Sequence, residues 1–261
     1  MKSKPVVIVT GASRGVGAAA ARWLAGAGTA VTLVARSQEE LRQGAEAIDR
    51  SGGDCIFVAG DVSDPHFCRS TVEKTLNRFH RLDALVNNAG IVEPLATAAE
   101  ANPADWHYNI EVNLLGPVYM SMAAIPELRV RNGCIVNVSS GAAHHVIAAA
   151  SAYCAAKAAL NQFSRVLAAE EPDLTVIAVR PGVVDTRMQE LLRSEGPEKM
   201  PPEQAAFYRD LKMAGRLEPP EVPARAIAWL ALHAPPEWSG DFMSYDDQQI
   251  AQPALATFGE S

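Results

Sequence analysis

Short apolar runs alternate along the chain with longer stretches that are rich in alanine and in charged residues. Six of the apolar runs lack the polar alternation of a half-exposed strand, which is typical of strands that helices cover on both sides. These six predicted strands are Val6–Val9, Ala30–Val34, Cys55–Val58, Ala84–Val86, Cys134–Val138 and Leu174–Val179. A seventh strand is predicted at Asp241–Ser244. The predicted helices are Val16–Ala27, Gln38–Ser51, Pro65–Phe79, Pro103–Ala124, Ala152–Glu170 and Pro223–His233.

This alternation of strands and helices indicates the fold class. It predicts an α/β fold of the Rossmann type, doubly wound, with a mostly parallel seven-stranded sheet and helices on both faces. Two helix starts carry capping signals: Asn102 precedes Pro103, and Ser151 precedes the fifth helix. No shift of composition and no internal repeat divides the chain, so residues 1–261 are predicted to form a single dinucleotide-binding domain.

The regular alternation ends near Thr186. Residues 187–222 are polar and contain Gly-Pro and Pro-Pro pairs, which mark turns. Open α/β folds bind their ligands at the carboxyl edge of the sheet, where this stretch begins. We therefore predict that residues 187–222 form a substrate-lid insertion within the domain.

Composition and charge exclude several classes of protein. Of 261 residues, 48% are hydrophobic, which excludes a disordered chain. The 30 acidic residues outnumber the 23 basic ones and give a net charge of −7, which argues against a general nucleic-acid binder. No apolar run is long enough to span a bilayer, and no membrane partner is expected.

The compartment is predicted from the cysteines and the first residues. Cys55, Cys68, Cys134 and Cys154 form no CxxC pair and no dense framework, so neither disulfides nor a zinc site are expected. Adjacent His144 and His145 lack partners at metal-ligand spacing, and they are interpreted as pocket-lining or solvated side chains. The basic start is followed by too short an apolar run for a secretory leader, and a cytoplasmic protein is expected.

A glycine-rich turn follows the first predicted strand. Gly11, Gly15 and Gly17 give the spacing GxxxGxG around Ser13 and Arg14, directly before a predicted helix. Glycines allow the backbone to approach a diphosphate closely, and the helix N-terminus offers free N–H groups to the anion. The alternative is a glycine-rich turn without a ligand. Its position between the first strand and first helix favours a dinucleotide site.

The end of the second predicted strand indicates which dinucleotide is bound. An NAD-dependent enzyme normally carries an acidic residue there, which bonds the ribose 2′-hydroxyl. This chain has Arg36 instead, with Arg14 as a second cation. Arginine pairs strongly with a phosphate, whereas the alternative for Arg36 is a solvated surface charge. The two arginines predict NADP(H) as the cofactor.

Tyr153 and Lys157 are four residues apart and therefore lie on one face of a helix. A nearby ammonium favours the phenolate and is expected to lower the tyrosine pKa towards neutrality. Ser140 follows a buried strand thirteen residues earlier. YxxxK alone is weak, but together with the glycine-rich turn, Ser140 and Asn113 the pattern becomes specific.

The chain resembles the short-chain dehydrogenase/reductase family over nearly its full length. The matching segments are Thr10–Gly17, Asn87–Gly90, Asn113, Ile135–Ser140, Tyr153 with Lys157, and Pro181-Gly182. The resemblance implies that Tyr153 protonates the substrate oxygen, Ser140 orients and polarises the carbonyl, and Lys157 holds the nicotinamide ribose. It implies that Asn113 supports a water that relays protons. The cofactor contacts that it implies are Gly11, Ser13, Arg14, Gly15, Val16, Gly17, Arg36, Asp61, Val62, Asn88, Ala89, Gly90, Tyr153, Lys157, Pro181, Gly182, Val184 and Thr186.

Two later segments, 181–189 and 239–247, are similar to the branch that contains benzil reductases and sepiapterin-reductase-like proteins. This resemblance implies an NADPH-dependent reductase of ketones or vicinal diketones. The segment 141–152 contains a run of small residues and lacks a bulky aromatic just before Tyr153, which predicts a roomier pocket. A 3-oxoacyl thioester reductase, another alcohol dehydrogenase of the family, or an NADP(H)-binding redox sensor remain alternatives.

The expected partners are a small carbonyl substrate and further copies of the chain. By resemblance, pairing through the helices at about 103–124 and 152–170 would give a homodimer or homotetramer. The final residues, Ala251–Ser261, are expected to form a surface or interface tail.

Overall fold

Seven strands form one sheet in the order β3-β2-β1-β4-β5-β6-β7. The strands are β1 Val6–Thr10, β2 Ala30–Ala35, β3 Asp54–Ala59, β4 Ala84–Asn87, β5 Cys134–Val138, β6 Thr175–Arg180 and β7 Phe242–Ser244. Every neighbouring pair is parallel. The computed structural model describes residues 4–260, so both ends of the predicted domain, Met1–Ser3 and Ser261, lie outside the described residues. The predicted single-domain Rossmann-type fold is confirmed.

Helices cover both faces of the sheet. They are α1 Gly15–Gly26, α2 Gln38–Arg50, α3 Pro65–Phe79, α4 Pro103–Ile110, α5 Gly116–Arg129, α6 Ser151–Glu170, α7 Arg187–Ser194, α8 Gly196–Lys199, α9 Pro202–Met213, α10 Glu221–His233 and α11 Gln248–Phe258. Successive strand residues point to opposite faces. Val7 and Val9 pack in the core with α1, α2, α10 and α11, whereas Val6 and Ile8 pack with α3 and α5. Two apolar cores therefore hold the sheet between helical layers.

The helix predicted over Pro103–Ala124 is interrupted. α4 ends at Ile110, a π-helical turn covers Glu111–Leu115, and α5 runs on to Arg129. Pro117 lacks the N–H that an α-helix would direct at the carbonyl four residues earlier, which favours a widened turn there. Such turns are frequent at functional sites, and this one carries Asn113.

The two predicted caps have different outcomes. The Asn102 side chain accepts a hydrogen bond from the Ala104 N–H at 2.8 Å and caps α4 as predicted. Ser151 is the first residue of α6 rather than its cap. Its hydroxyl accepts a hydrogen bond from Trp106 Nε1 at 3.2 Å and so ties α6 to α4.

Two segments outside the regular alternation contain more structure than the sequence predicts. Residues 187–222 include α7, α8 and α9, and a bridge between Val184 and Glu218 anchors the stretch to the chain after β6. The predicted tail Ala251–Ser261 is mostly α11, whose Ile250 and Ala254 are buried in the core. The tail prediction was wrong because a few apolar positions that face α1 and α10 are enough to hold this helix.

Candidate active site

The glycine-rich turn joins β1 to α1 in a conformation that requires glycine. Gly11 and Gly15 have φ of 66° and 58°, in the left-handed region that side chains disfavour. A Cβ on Gly17 would lie 2.4 Å from both the Gly11 carbonyl oxygen and Asn88 Nδ2. Gly17 therefore serves the close packing of α1 on the turn, and it does not line the cavity described below.

Thr10 and Asn88 fasten the turn to the loop after β4. Thr10 Oγ1 accepts hydrogen bonds from the N–H groups of Asn88 at 2.9 Å and Ala89 at 3.1 Å. In return, Asn88 Nδ2 donates to the carbonyls of Thr10 at 3.0 Å and Gly11 at 3.3 Å. The segment Asn88–Gly90 is thus fixed against the glycine-rich turn by side-chain bonds from both sides.

One cavity of about 1450 Å³ lies at the carboxyl edge of the sheet. The residues predicted to bind cofactor or substrate that line it are Gly11, Ser13, Arg14, Gly15, Val16, Arg36, Asp61, Val62, Asn88, Ala89, Gly90, Ser140, Tyr153, Lys157, Pro181, Gly182, Val184 and Thr186. Of the predicted set, only Gly17 and Asn113 are not in its wall. A Cβ on Gly15 would lie 3.3 Å from Thr186 Cγ2, so glycine keeps open the gap between the turn and the β6 side. The turn, the free N-terminus of α1 and the size of the cavity fit a nicotinamide dinucleotide.

Tyr153 and Lys157 are buried on α6, with the Lys157 ammonium 5.8 Å from the centre of the Tyr153 ring. Burial raises the pKa of the Tyr153 phenol, and a hydrogen bond with Ser140 opposes this rise. Burial lowers the pKa of Lys157 to about 8, and its Nζ donates to the Val138 carbonyl at 2.8 Å. The predicted lowering of the tyrosine pKa by Lys157 is therefore wrong for this structure, because burial of the phenol dominates.

Asn113 lies behind the cavity wall. Its Oδ1 accepts from the Ile91 N–H at 3.1 Å, and its Nδ2 donates to the Ile91 carbonyl at 2.8 Å and to Asn109 Oδ1 at 2.9 Å. A Cβ on Gly90 would lie 2.8 Å from Asn113 Oδ1. Asn113, which lies in the π-helical turn, therefore fixes the loop around Gly90 and Ile91 through its side-chain hydrogen bonds.

The two arginines predicted to bind a phosphate both reach the cavity but have different partners. Arg14 forms an exposed ion pair of 3.5 Å with Glu40. Arg36 donates from Nη1 to the hydroxyl of Tyr108 at 2.8 Å. Tyr108 in turn donates to Asp61 Oδ2 at 2.7 Å. Nothing in the sequence pattern of α4 marks Tyr108, because its partners follow β2 and β3.

Part of the cavity wall is formed by α7 and α9, two helices that the sequence pattern did not predict. Phe207 and Tyr208 of α9 line the cavity, and their rings lie 5.4 Å apart. Burial raises the pKa of Tyr208 to about 12. These two rings supply the aromatic wall that residues 141–152 lack. The signal available in the sequence was Pro202 at a helix start followed by apolar residues at helical spacing.

Gln204 joins α9 to the loop before Tyr153. Its Oε1 accepts from the Ala148 N–H at 2.9 Å, and its Nε2 donates to the Val146 carbonyl at 3.0 Å. His145, in the same loop, lines the cavity, whereas the ring of His144 packs 5.0 Å from that of Phe242. The segment 187–222 thus contacts the loop that leads into α6.

The described residues offer neither a membrane span nor a metal cluster. Among residues 4–260, no helix is long and apolar enough to cross a membrane. The same part of the chain holds no group of three or more His, Cys, Asp or Glu side chains arranged for a metal ion.

The cavity joins a turn suited to a dinucleotide diphosphate with a tyrosine that can exchange a proton with a substrate oxygen. This combination defines an oxidoreductase acting on alcohol and carbonyl groups. The chain belongs to the short-chain dehydrogenase family: a family model described as short chain dehydrogenase matches residues 5–196. Members of this family use a nicotinamide dinucleotide, NAD(H) or NADP(H).

Similar proteins cover nearly the whole chain. An uncharacterized oxidoreductase of Schizosaccharomyces pombe is 35% identical over 244 residues, 93% of this chain and 97% of that protein. One of Saccharomyces cerevisiae is 37% identical over 257 residues, 97% and 98% of the two chains. Its crystal structure matches with a TM-score of 0.90 and 36% identity, over 95% of this chain and 98% of that one. A benzil reductase of Saccharomyces cerevisiae that forms (S)-benzoin is 31% identical over 257 residues, 94% and 97% of the two chains.

Proposed function

We propose that this protein is an NADPH-dependent carbonyl reductase that reduces a ketone or a vicinal diketone, with Tyr153 as the proton donor. One observation carries the proposal. The buried Tyr153, hydrogen-bonded with Ser140 and one helical turn before Lys157, lines the same cavity as the glycine-rich turn. A protein that only binds a dinucleotide has no need of a buried tyrosine in this position.

Tyr153, Ser140 and Lys157 have different roles in the proposed reaction. When bound, the nicotinamide supplies the hydride, which carries two electrons to the carbonyl carbon. Tyr153 gives its phenolic proton to the carbonyl oxygen, so that the alcohol forms and a phenolate remains. Ser140 Oγ accepts from the Ala142 N–H at 3.1 Å, and its own hydrogen, which bonds with Tyr153 in this structure, can turn to the substrate oxygen. Lys157, one helical turn from Tyr153, would hold the nicotinamide ribose.

The proposed acid role of Tyr153 requires a protonated phenol. Because burial raises the pKa of Tyr153, the phenol carries its proton at neutral pH. Burial lowers the pKa of Lys157 to about 8, which still leaves its amine mostly protonated at neutral pH. Tyr153 can therefore hold the proton that reduction consumes, with a positive charge one helical turn away.

The preference for NADPH is supported by the groups after β2. Arg36 occupies the place where an NAD-dependent enzyme normally has a carboxylate. Its side chain is exposed and lines the cavity, as does Arg14. Arginine binds a phosphate through charge-assisted, bidentate hydrogen bonds, whereas a carboxylate would repel it.

The substrate class is supported by the apolar side of the cavity. Phe207 and Tyr208 face the loop that carries Val146 and Ile147, and all four side chains line the cavity. A wall of this kind suits a ketone with bulky apolar substituents. The similarity to a benzil reductase points in the same direction, because benzil is a diketone with two aromatic rings.

The mechanism is tested with benzil and NADPH. We expect Tyr153→Phe to lower kcat by more than about 100-fold, the usual contribution of a positioned acid, while binding of NADPH, followed by its fluorescence, persists. Tyr119→Phe, which removes a hydroxyl from α5 away from the cavity, is the matched control and should keep full activity. Normal turnover by Tyr153→Phe would refute the mechanism. Faster turnover of a 3-oxoacyl thioester than of any ketone would refute the substrate class.

A further inference from the structure

A hydrogen-bonded chain of three side chains links the ends of β2 and β3, where two of its members line the cavity. Arg36 follows β2, Asp61 follows β3, and Tyr108 reaches over from α4 to place its hydroxyl between them. That hydroxyl accepts from the guanidinium at 2.8 Å and donates to the carboxylate at 2.7 Å. Arg36 and Asp61, a cation and an anion that follow neighbouring strands, are therefore joined through this hydroxyl.

We propose that Tyr108 is a positioning residue for recognition of the cofactor 2′-phosphate: its hydroxyl keeps Arg36 from pairing with Asp61 and holds the guanidinium available to the phosphate. The inference rests on the proposed preference for NADPH, which it deepens. Tyr108 itself does not line the cavity, so it acts through Arg36.

The geometry explains why a hydroxyl is needed there rather than an apolar ring. A phenol accepts one hydrogen bond and donates another, so it satisfies Arg36 and Asp61 together without neutralising either charge. The guanidinium keeps further N–H donors for a ligand. Burial and the bond to Asp61 raise the pKa of Tyr108, which keeps the phenol protonated and able to donate.

The second arginine shows what happens without such an intermediary. Arg14 pairs directly with the carboxylate of Glu40 at 3.5 Å. The Glu40 carboxylate offsets part of the charge of Arg14 and would repel a phosphate that binds beside it. Arg36 has a neutral partner instead, which a phosphate can join without displacing an ion pair.

The test uses two fragments that differ in the 2′-phosphate alone. Binding of 2′,5′-ADP and of 5′-AMP to the full chain is measured by calorimetry for the wild type and Tyr108→Phe. We expect Tyr108→Phe to weaken 2′,5′-ADP about tenfold, the loss of one charge-assisted contact, and to leave 5′-AMP unchanged. The unchanged affinity for 5′-AMP also shows that the variant is folded. Tyr119→Phe should alter neither affinity.

A second variant separates positioning from a loss of structure. In Tyr108→Phe/Asp61→Asn the carboxylate that would capture Arg36 is gone, so the ratio of the two affinities should return to that of Asp61→Asn alone. Equal weakening of both fragments by Tyr108→Phe, no weakening of either, or a loss that Asp61→Asn does not reverse would overturn the inference. Arg36→Ala tests the underlying proposal: if it leaves the preference for 2′,5′-ADP intact, the assignment of Arg36 fails whatever Tyr108 does.

Discussion

Thr10 offers the most direct test of how the loop Asn88–Gly90 is fixed to the glycine-rich turn. Its buried hydroxyl accepts two backbone hydrogen bonds, from Asn88 at 2.9 Å and Ala89 at 3.1 Å. Thr10→Val keeps the shape of the side chain but leaves both N–H groups without this acceptor. An unsatisfied buried donor costs about 1–3 kcal/mol, and both groups are partly buried, so we expect a loss of about 2–4 kcal/mol.

The measurement compares Thr10→Val with Thr10→Ser, which keeps the acceptor and loses a methyl group worth about 1 kcal/mol. For a domain of this size, the valine variant should melt about 6–12 °C below the wild type in a thermal scan. Because the loop Asn88–Gly90 is released, NADPH should also stabilise this variant less than it stabilises the serine variant. Equal melting temperatures for the two variants would refute the reasoning.

Three further predictions concern the glycine-rich turn, the predicted lid of residues 187–222 and the buried Lys157. Gly17→Ala should destabilise the protein by several kcal/mol, roughly the cost of overpacking against rigid backbone, whereas Gly26→Ala, which has open space around it, should be neutral in the same melting assay. Gln204→Ala removes two hydrogen bonds and should speed trypsin cleavage within residues 187–222 about tenfold with NADPH affinity unchanged; wild-type cleavage would contradict a lid. Between about pH 8 and its ordinary pKa of 10.5, the folded state leaves Lys157 less protonated than the unfolded state does, so the free energy of unfolding should rise with pH. Lys157→Met should remove this rise in urea titrations, and an unchanged pH dependence would contradict it.

The secondary structure was largely predictable because its signals are local. All seven strands lie within a few residues of their predicted positions, since an apolar run between helical stretches has few other solutions. The exceptions have equally local causes. Pro117 follows the π-helical turn that separates α4 from α5. The sequence of α11 looks like a tail because only a few of its positions are buried.

The candidate site was predictable where single motifs carry it. The turn around Gly11 and the pair of Tyr153 and Lys157 each depend on residues near one another in the sequence. The aromatic wall on α9 was missed because Phe207 and Tyr208 meet the cavity only after residues 187–222 fold back over the sheet edge. The direction of the Tyr153 pKa was also missed, because burial depends on every element around the phenol.

The sequence by itself determined the parallel sheet, the glycine-rich turn and the pairing of Tyr153 with Lys157 on one helix, since spacing and apolar pattern are properties of short segments. Only the tertiary structure decided what surrounds them. Arg36 meets Tyr108 across 72 positions of the chain, and Tyr108 meets Asp61 across 47. Contacts of this range depend on how the helices pack and on which groups lose water. The charge available to a phosphate, and the proton held by Tyr153, are therefore set by the folded protein as a whole.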